Sequence, residues 1–197
     1  TRVYTCSQLK HIEENLNYTL RGLKVNMEIV GATPRGWVQI AVSGEDERAA
    51  LSHLTEEIGL CPTLLENIER FSTIRGCLID PNESKSELYA DIGVFSPNIV
   101  YAAIPLNHLQ AQLVDGRKVA FKKLAELFGF CENSPLTIKI LKIDREENRV
   151  EAMLSEKQLD QYGNWMKSLL DRLIILGSSI YEVRLALRKE GLNRDVL

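Results

Sequence analysis

The sequence predicts an α+β fold in which a small closed β-barrel lies between a short α+β domain and a C-terminal helical segment. Two features of the chain predict it. Residues 73–157 contain short segments with apolar residues at alternate positions or in brief runs, and Gly, Pro, Asn or Asp separates most of them, which is typical of several short strands. On both sides of this region apolar residues recur every three or four positions, which is typical of amphipathic helices.

Composition places the chain among ordinary globular proteins. Of its 197 residues, 45% are hydrophobic and 26% are charged, so a disordered chain is not expected. The formal net charge is -3, and any contact with nucleic acid would therefore need a local basic patch. No charged leader with an apolar core opens the sequence, and no apolar run approaches the ~20 residues that span a bilayer. We expect a soluble, cytoplasmic protein with no membrane contact.

The predicted first domain, residues 1–72, begins with a helix over residues 8–20. Ser7 is a suitable N-cap for it, and its apolar face is formed by Leu9, Ile12, Leu16 and Leu20. Two strands follow, over residues 24–30 and 37–42, with a turn rich in Gly and Pro between them. A second helix begins after Ser43 or Gly44, where three carboxylates face the positive end of the helix dipole. A short helix is predicted within residues 61–71.

The predicted barrel, residues 73–157, contains five strand-like segments. They cover residues 75–80, 88–93, 101–106, 136–144 and 148–155. The last two flank the polar stretch Asp144-Arg145-Glu146-Glu147, which is short enough for a hairpin. Between the third and fourth segments the chain has a longer insertion, in which residues 119–130 form a predicted amphipathic helix.

These segments resemble the S1 domain, an OB-type five-stranded barrel common in RNA-binding proteins. Gly76, the stretch from Tyr89 to Gly93, and the final strands ending in Ile143-Asp144 and Met153-Leu154-Ser155 occur in the order of the S1 pattern. The resemblance implies a central S1-like OB barrel with a helical insertion. The layout of the whole chain also resembles an archaeal family of unknown function.

The resemblance further implies where RNA would stack on the barrel. Tyr89 is similar to one of the strand-two aromatic residues of S1 domains, whereas Ser86 and Pro105 stand at the positions of the other aromatic residue and of a histidine. Asp91 resembles a structural aspartate of the family. Only one of the three stacking positions is thus kept, which weakens the prediction of base stacking on this face.

Two groups of cations complete the predicted RNA-binding residues. One group lies on the barrel strands and hairpin: Lys85, Lys139, Lys142, Arg145 and Arg149. The other lies at the start of the insertion helix, with four positive charges in seven residues: Arg117, Lys118, Lys122 and Lys123. Both groups have a simpler interpretation as solvated surface residues. In the first group, nearby glutamates balance the positive charge.

The predicted C-terminal segment, residues 158–197, is helical. A first helix runs over residues 156–176, with a possible break at Gly163. Gly177 ends it, and Ser179-Ile180-Tyr181-Glu182 reads as a capping box for a second helix over residues 180–190. The two helices form a predicted hairpin.

The sequence contains no recognisable catalytic constellation. Its three histidines are scattered, its four cysteines (Cys6, Cys61, Cys77 and Cys131) are far apart, and no Gly-rich phosphate loop precedes a helix. We therefore expect neither an enzyme nor a metal or cofactor.

The predicted function is that of a non-catalytic RNA-binding accessory protein in translation, ribosome biogenesis or RNA processing. Its ligand would be single-stranded or structured RNA, with a protein partner also possible. The alternative is a protein-interaction scaffold built on an OB barrel with no nucleic-acid contact. The sequence leaves the particular partner and the oligomeric state open.

Overall fold

The computed structural model describes residues 6–33, 35–81, 86–96, 98–168, 174–175, 178 and 180–190. The chain divides into two compact units. One unit comprises Thr1–Leu51 and Leu173–Leu197, and the other comprises Ser52–Arg172. The three predicted domains, divided after residues 72 and 157, stay a prediction.

The first unit contains a helix followed by a two-stranded sheet. Helix α1 covers Cys6–Thr19, and strands β1 (Val25–Ala32) and β2 (Val38–Gly44) pair antiparallel, with a bulge between Ile29 and Gly31. Helix α2, Glu47–Glu57, begins in this unit. Leu16, Leu20 and Trp37 are buried here. The small α+β arrangement that precedes the barrel is thus confirmed.

The segment before the barrel differs from the prediction. Instead of a short helix within residues 61–71, it forms the two-residue strand β3 (Thr63–Leu64) and a single 3-10 turn over Leu65–Asn67. Thr63 has a φ of 54°, which a right-handed helix does not accommodate. Leu65 and Ile68 still reach the hydrophobic core, so the apolar spacing reflected burial rather than helix.

Five strands of the second unit close into a barrel. They are β4 (Thr73–Leu78), β5 (Glu87–Ser96), β6 (Val100–Pro105), β7 (Pro135–Asp144) and β8 (Arg149–Leu154). Strand β4 pairs with β5 and β7, β7 pairs with β8, and β6 pairs antiparallel with β5 and parallel with β8, which closes the ring. The predicted S1-like, five-stranded OB barrel is confirmed.

Apolar side chains at alternate positions along the strands fill the barrel interior. In β5 the fully buried side chains include Leu88, Ala90 and Ile92, and in β7 they include Leu136, Ile138 and Ile140. The strands also bulge, between Asp91 and Val94 in β5 and between Ile140 and Lys142 in β7, and bulges strengthen the local twist that a closed barrel needs.

The bulge in β5 is held by Asp91. Its carboxylate is buried and accepts a hydrogen bond of 3.0 Å from the backbone N–H of Gly93. Gly93 has a φ of 78°, and a Cβ atom there would lie 2.6 Å from the Cβ and Sγ atoms of Cys61. The hydrogen bond supports the structural role that the S1 resemblance implies for Asp91.

The insertion between β6 and β7 forms two short helices, α3 (Leu106–Leu113) and α4 (Phe121–Phe128). The side-chain amide of Gln112 donates to the carbonyl of Leu154 at 2.9 Å and accepts from its N–H at 3.0 Å, which fixes α3 to β8. The predicted insertion helix is therefore confirmed, although α4 is shorter than expected and ends at Gly129, where φ is 67°.

Two helices follow the barrel, α5 (Glu156–Ser168) and α6 (Ile180–Lys189). Helix α5 continues through Gly163, so no break occurs there. Tyr162 of α5 is buried, and its ring centroid lies 5.5 Å from that of Phe128 and 5.3 Å from that of Trp165. Residues 169–173, 176–177 and Ser179 lie outside the described residues, and the hairpin stays a prediction.

Candidate nucleic-acid interface

A groove of about 680 Å³ lies on the outer face of β5, β6 and β8 and extends to the β7–β8 hairpin. OB barrels bind oligonucleotides on the face of their second and third strands and on the loop between their last two. Strands β5 and β6 and the hairpin occupy those places here. The polar and aromatic side chains that line the groove are Tyr89, Tyr101, Lys142, Arg149, Glu87, Asp144, Glu147, Asn148 and Glu151.

Two tyrosines provide the aromatic surface of the groove. Tyr89 of β5 pairs with Ala103 of β6, while Tyr101 of β6 pairs with Asp91. The two tyrosines are therefore diagonal neighbours on one face, a relationship that separates residues by roughly 7–8 Å. Tyr101 is 40% exposed and is not among the predicted RNA-binding residues. The signal was present, since strand alternation places Tyr101 and Pro105 on the same side of β6.

Glu87 connects Tyr89 with Arg149. Its carboxylate accepts a hydrogen bond of 2.6 Å from the Tyr89 hydroxyl and another of 2.6 Å from Nη2 of Arg149. The first bond is the largest cause that raises the pKa of the Tyr89 hydroxyl above its usual value, and burial adds to it. The Tyr89 hydroxyl and the Arg149 guanidinium are thus already engaged by a carboxylate.

The charge of the groove is predominantly negative. Lys142 lies 4.0 Å from the Asp144 carboxylate, and Glu147 and Glu151 also line the surface. Four carboxylates thus face two cations. Since a phosphate backbone is repelled by such a surface, the groove by itself is a poor site for the backbone of a nucleic acid.

The insertion presents the opposite charge. We use the name cationic segment for residues 117–123, in which Arg117, Lys118, Lys122 and Lys123 are all exposed. Arg117 and Lys118 lie in the α3–α4 connection, and the two later lysines lie in the first turn of α4. Within the described residues, Lys123 pairs with Glu126 at 3.3 Å, whereas the other three cations have no ion-pair partner.

The backbone of the cationic segment is anchored at its first and third residues. The side-chain amide of Gln110 donates to the carbonyl of Val119 at 2.8 Å, and the N–H of Arg117 donates to the carbonyl of Val114 at 3.0 Å. On α4, Phe121 and Leu124 are buried in the core, so Lys122 and Lys123 between them must face solvent. The segment therefore holds its charges outward on a fixed support.

Of the remaining predicted site residues, the structure describes Lys139 and Arg145, and neither lines the groove or belongs to the cationic segment. Lys139 is half-buried on β7, where it pairs with Thr73 and Met153. Arg145 is exposed in the β7–β8 hairpin. Lys85 lies outside the described residues. The structure thus brings Tyr89, Lys142 and Arg149 into one groove.

Other kinds of site receive no support from the described part of the chain. His108 is half-buried, with Nε2 3.9 Å from the Glu151 carboxylate. The described ranges contain no group of three or more His, Cys, Asp or Glu residues that could hold a metal ion. Within the same ranges, no helix has the length and apolar character needed to cross a membrane.

Several solved structures resemble this chain at low sequence identity, among them the following three. An uncharacterized protein from Methanocaldococcus jannaschii is 6% identical, with 45% of this chain and 95% of that chain covered and a TM-score of 0.31. A chain in a complex of a/eIF2alpha, aDim2p and rRNA from Pyrococcus horikoshii is 11% identical, with 63% of this chain and 64% of that chain covered and a TM-score of 0.34. GSP13 from Bacillus subtilis is 10% identical, with 60% of this chain and 71% of that chain covered and a TM-score of 0.34. At these low TM-scores the likenesses do not bear on function.

Comparison with curated proteins gives no match. Family models, in contrast, match most of the chain. Residues 1–63 match the DUF2110 N-terminal domain, and residues 68–166 match the DUF2110 central domain. The second match spans the whole barrel, its helical insertion and most of α5. The chain belongs to the DUF2110 family, whose function is unknown.

Proposed function

We propose that this protein is a non-catalytic RNA-binding accessory protein of the cytoplasm, acting in translation, ribosome biogenesis or RNA processing. The observation that carries the proposal is the cationic segment, in which four exposed cations within seven residues project from an S1-like OB barrel. Phosphate contacts from Lys and Arg supply most of the sequence-independent affinity of such proteins. Because the chain as a whole is mildly acidic, a local concentration of charge is what RNA binding requires.

The groove has a subordinate role in this proposal. Tyr89 and Tyr101 offer rings on which bases can stack, and each stacked base contributes ~1–3 kcal/mol. The carboxylates beside them oppose the backbone, so the groove receives mainly bases and most of the phosphates are held outside it. Lys139, Lys142, Arg145 and Arg149 are secondary phosphate contacts, and Lys85 is proposed from sequence alone.

The experiment is fluorescence anisotropy with labelled single-stranded and hairpin RNA at low and moderate salt. The test variant is Arg117→Glu/Lys122→Glu/Lys123→Glu. A matched control, Arg21→Glu/Arg48→Glu/Lys167→Glu, makes the same change in net charge at exposed cations outside the segment. We expect the test variant to bind at least about ten-fold more weakly than the control, because it places like charge against the phosphates. Equal loss in both variants would contradict a specific role for the segment.

The excess of carboxylates in the groove favours a second function, a protein-interaction scaffold with no nucleic-acid contact. OB barrels that bind RNA need positive charge beside the stacking rings, and here four carboxylates face two cations. Absence of RNA binding at low salt by the unaltered protein would favour the scaffold over the RNA-binding function.

A further inference from the structure

Phe71 has an unusual conformation for an aromatic residue. It precedes β4, it is 57% exposed, and its φ is 68°. A left-handed backbone costs an L-residue roughly 1–2 kcal/mol, and exposure denies the ring the free energy of burial. Residues held in such conformations cluster at binding and active sites. Neither packing nor backbone preference thus accounts for an aromatic side chain at this position.

The neighbouring strand holds Phe71 in place. The N–H of Phe71 donates to the carbonyl of Ile140 at 2.8 Å, and the N–H of Ile140 donates to the carbonyl of Ser72 at 3.0 Å. Ser72 in turn donates its hydroxyl to the carbonyl of Glu69 at 2.6 Å. These bonds fix the turn against β7, so the ring is presented by a rigid support.

Arg70 is fixed beside the ring. Its Nε atom donates to the carbonyl of Leu141 at 2.8 Å, and its Cζ atom lies 4.7 Å from the centroid of the Phe71 ring. Leu141 is the extra residue of the β7 bulge. The guanidinium is therefore oriented by the strand and covers one side of the ring, where a cation–π contact stabilises it.

Besides Arg70, a second cation lies on the strand next to the Phe71 segment. Lys139 of β7 pairs with Thr73, two residues after Phe71, and is half-buried. Glu69 is the acidic residue of the turn and is exposed. An exposed ring backed by a guanidinium, with a second cation on the adjacent strand, is the combination that binds single-stranded nucleic acid: a base stacks on the ring while cations contact the backbone.

We propose that Phe71, backed by Arg70, is a base-stacking platform for single-stranded RNA, separate from the tyrosines of the groove. The inference rests on the RNA-binding function proposed above and adds a base contact to it. The platform accepts any base, because every base offers a π face. Since bases within a duplex are already stacked on one another, the platform acts on unpaired nucleotides.

The test uses two labelled strands of about 12 nucleotides, within the site sizes of OB barrels. One is single-stranded RNA of mixed sequence, and the other has the same backbone without bases. Phe71→Gly removes the ring and suits the backbone, because glycine adopts this φ without strain. Phe71→Tyr keeps an aromatic ring. Anisotropy then gives the affinity of each protein for each strand.

We expect Phe71→Gly to bind the base-bearing strand between about 5-fold and about 150-fold more weakly, which corresponds to the stacking of one base. Phe71→Tyr keeps the unaltered affinity to within about two-fold, and the strand without bases binds all three proteins equally. If the unaltered protein and Phe71→Gly bind the RNA with equal affinity, the platform is refuted and the RNA-binding function stands. An equal loss on both strands also refutes base stacking. If the unaltered protein binds neither strand, both the function and the platform fail.

A second readout reports the contact directly. Phe71→Trp places an indole on the platform, and a stacked base quenches its fluorescence. Tyr18→Trp is the matched control, because Tyr18 is 76% exposed and lies in the other unit. After subtraction of the emission of the unaltered protein, which contains Trp37 and Trp165, we expect RNA to quench the added indole of Phe71→Trp and to leave that of Tyr18→Trp unchanged. Equal quenching in both variants, or none in either, would overturn the platform.

Discussion

Nη2 of Arg149 donates a hydrogen bond of 2.6 Å to Oε1 of Glu87, two residues that lie 62 positions apart in the chain. Arg149 begins β8 and Glu87 begins β5, so the bond reaches over β6, which pairs with both strands. The Arg149 side chain is 58% exposed, and such ion pairs contribute little to stability. Under the proposed function its larger effect would be on RNA binding, because a cation of the groove is already paired with a carboxylate.

Release of Arg149 is expected to strengthen RNA binding. Glu87→Gln removes the charge of the carboxylate that engages Arg149 and Tyr89. We expect RNA affinity at low salt to rise by about two-fold to five-fold, in line with the free energy of an exposed ion pair. Glu13→Gln, which makes the same charge change at an exposed site in the other unit, serves as the control. Anisotropy titrations that show equal affinities for the two variants would remove the groove from the interface.

Gly93 is expected to tolerate no side chain. In Gly93→Ala the new Cβ atom lies 2.6 Å from the Cβ and Sγ atoms of Cys61, at a φ of 78°. Gly116→Ala is the control that measures the cost of a positive φ without a steric clash, because φ there is 77° and nothing lies within 4 Å of a Cβ atom. We expect Gly116→Ala to lower the free energy of unfolding by about 1 kcal/mol and Gly93→Ala by about 2–5 kcal/mol. Urea unfolding measures both values, and similar losses would show that the contact with Cys61 relaxes.

Tyr162 is expected to make stability depend on alkaline pH. Burial is the main cause that raises its pKa well above the usual value. A group whose folded-state pKa is raised contributes stability that is complete below its unfolded pKa, about 10, and is lost as the pH rises through the folded value. Above pH ~10 the free energy of unfolding should therefore fall by about 1.4 kcal/mol per pH unit more steeply in the unaltered protein than in Tyr162→Phe. Urea unfolding across this range checks the slopes, and parallel slopes would contradict the expectation.

The sequence predicted the barrel well because its signal is local. Alternating apolar residues mark β5 and β7, and the polar stretch around Arg145 marks the hairpin, so neighbouring positions suffice to predict these elements. The prediction of a helix in the segment before the barrel was wrong for the converse reason. Leu64, Leu65 and Ile68 have helical spacing, but Leu65 and Ile68 are buried by contacts with distant strands, which override local propensity.

The candidate site was predicted only in part, because its properties arise from long-range pairing. The exposure of Lys122 and Lys123 follows from the apolar positions beside them, Phe121 and Leu124. The acidity of the groove does not follow from neighbouring positions in the sequence, since Glu87, Asp144 and Glu151 meet only when β5, β7 and β8 close the barrel.

The central claim is that the cationic segment contacts the phosphates of RNA, and the salt dependence of binding tests it most directly. For single strands the logarithm of the binding constant falls with the logarithm of salt concentration by a slope of about 0.7 for each phosphate contact. The measurement compares the unaltered protein with Arg117→Gln/Lys118→Gln/Lys122→Gln, which neutralises the three cations without an ion-pair partner among the described residues. Loss of three contacts predicts a slope shallower by about 2. An unchanged slope, whatever the change in affinity, would contradict the account.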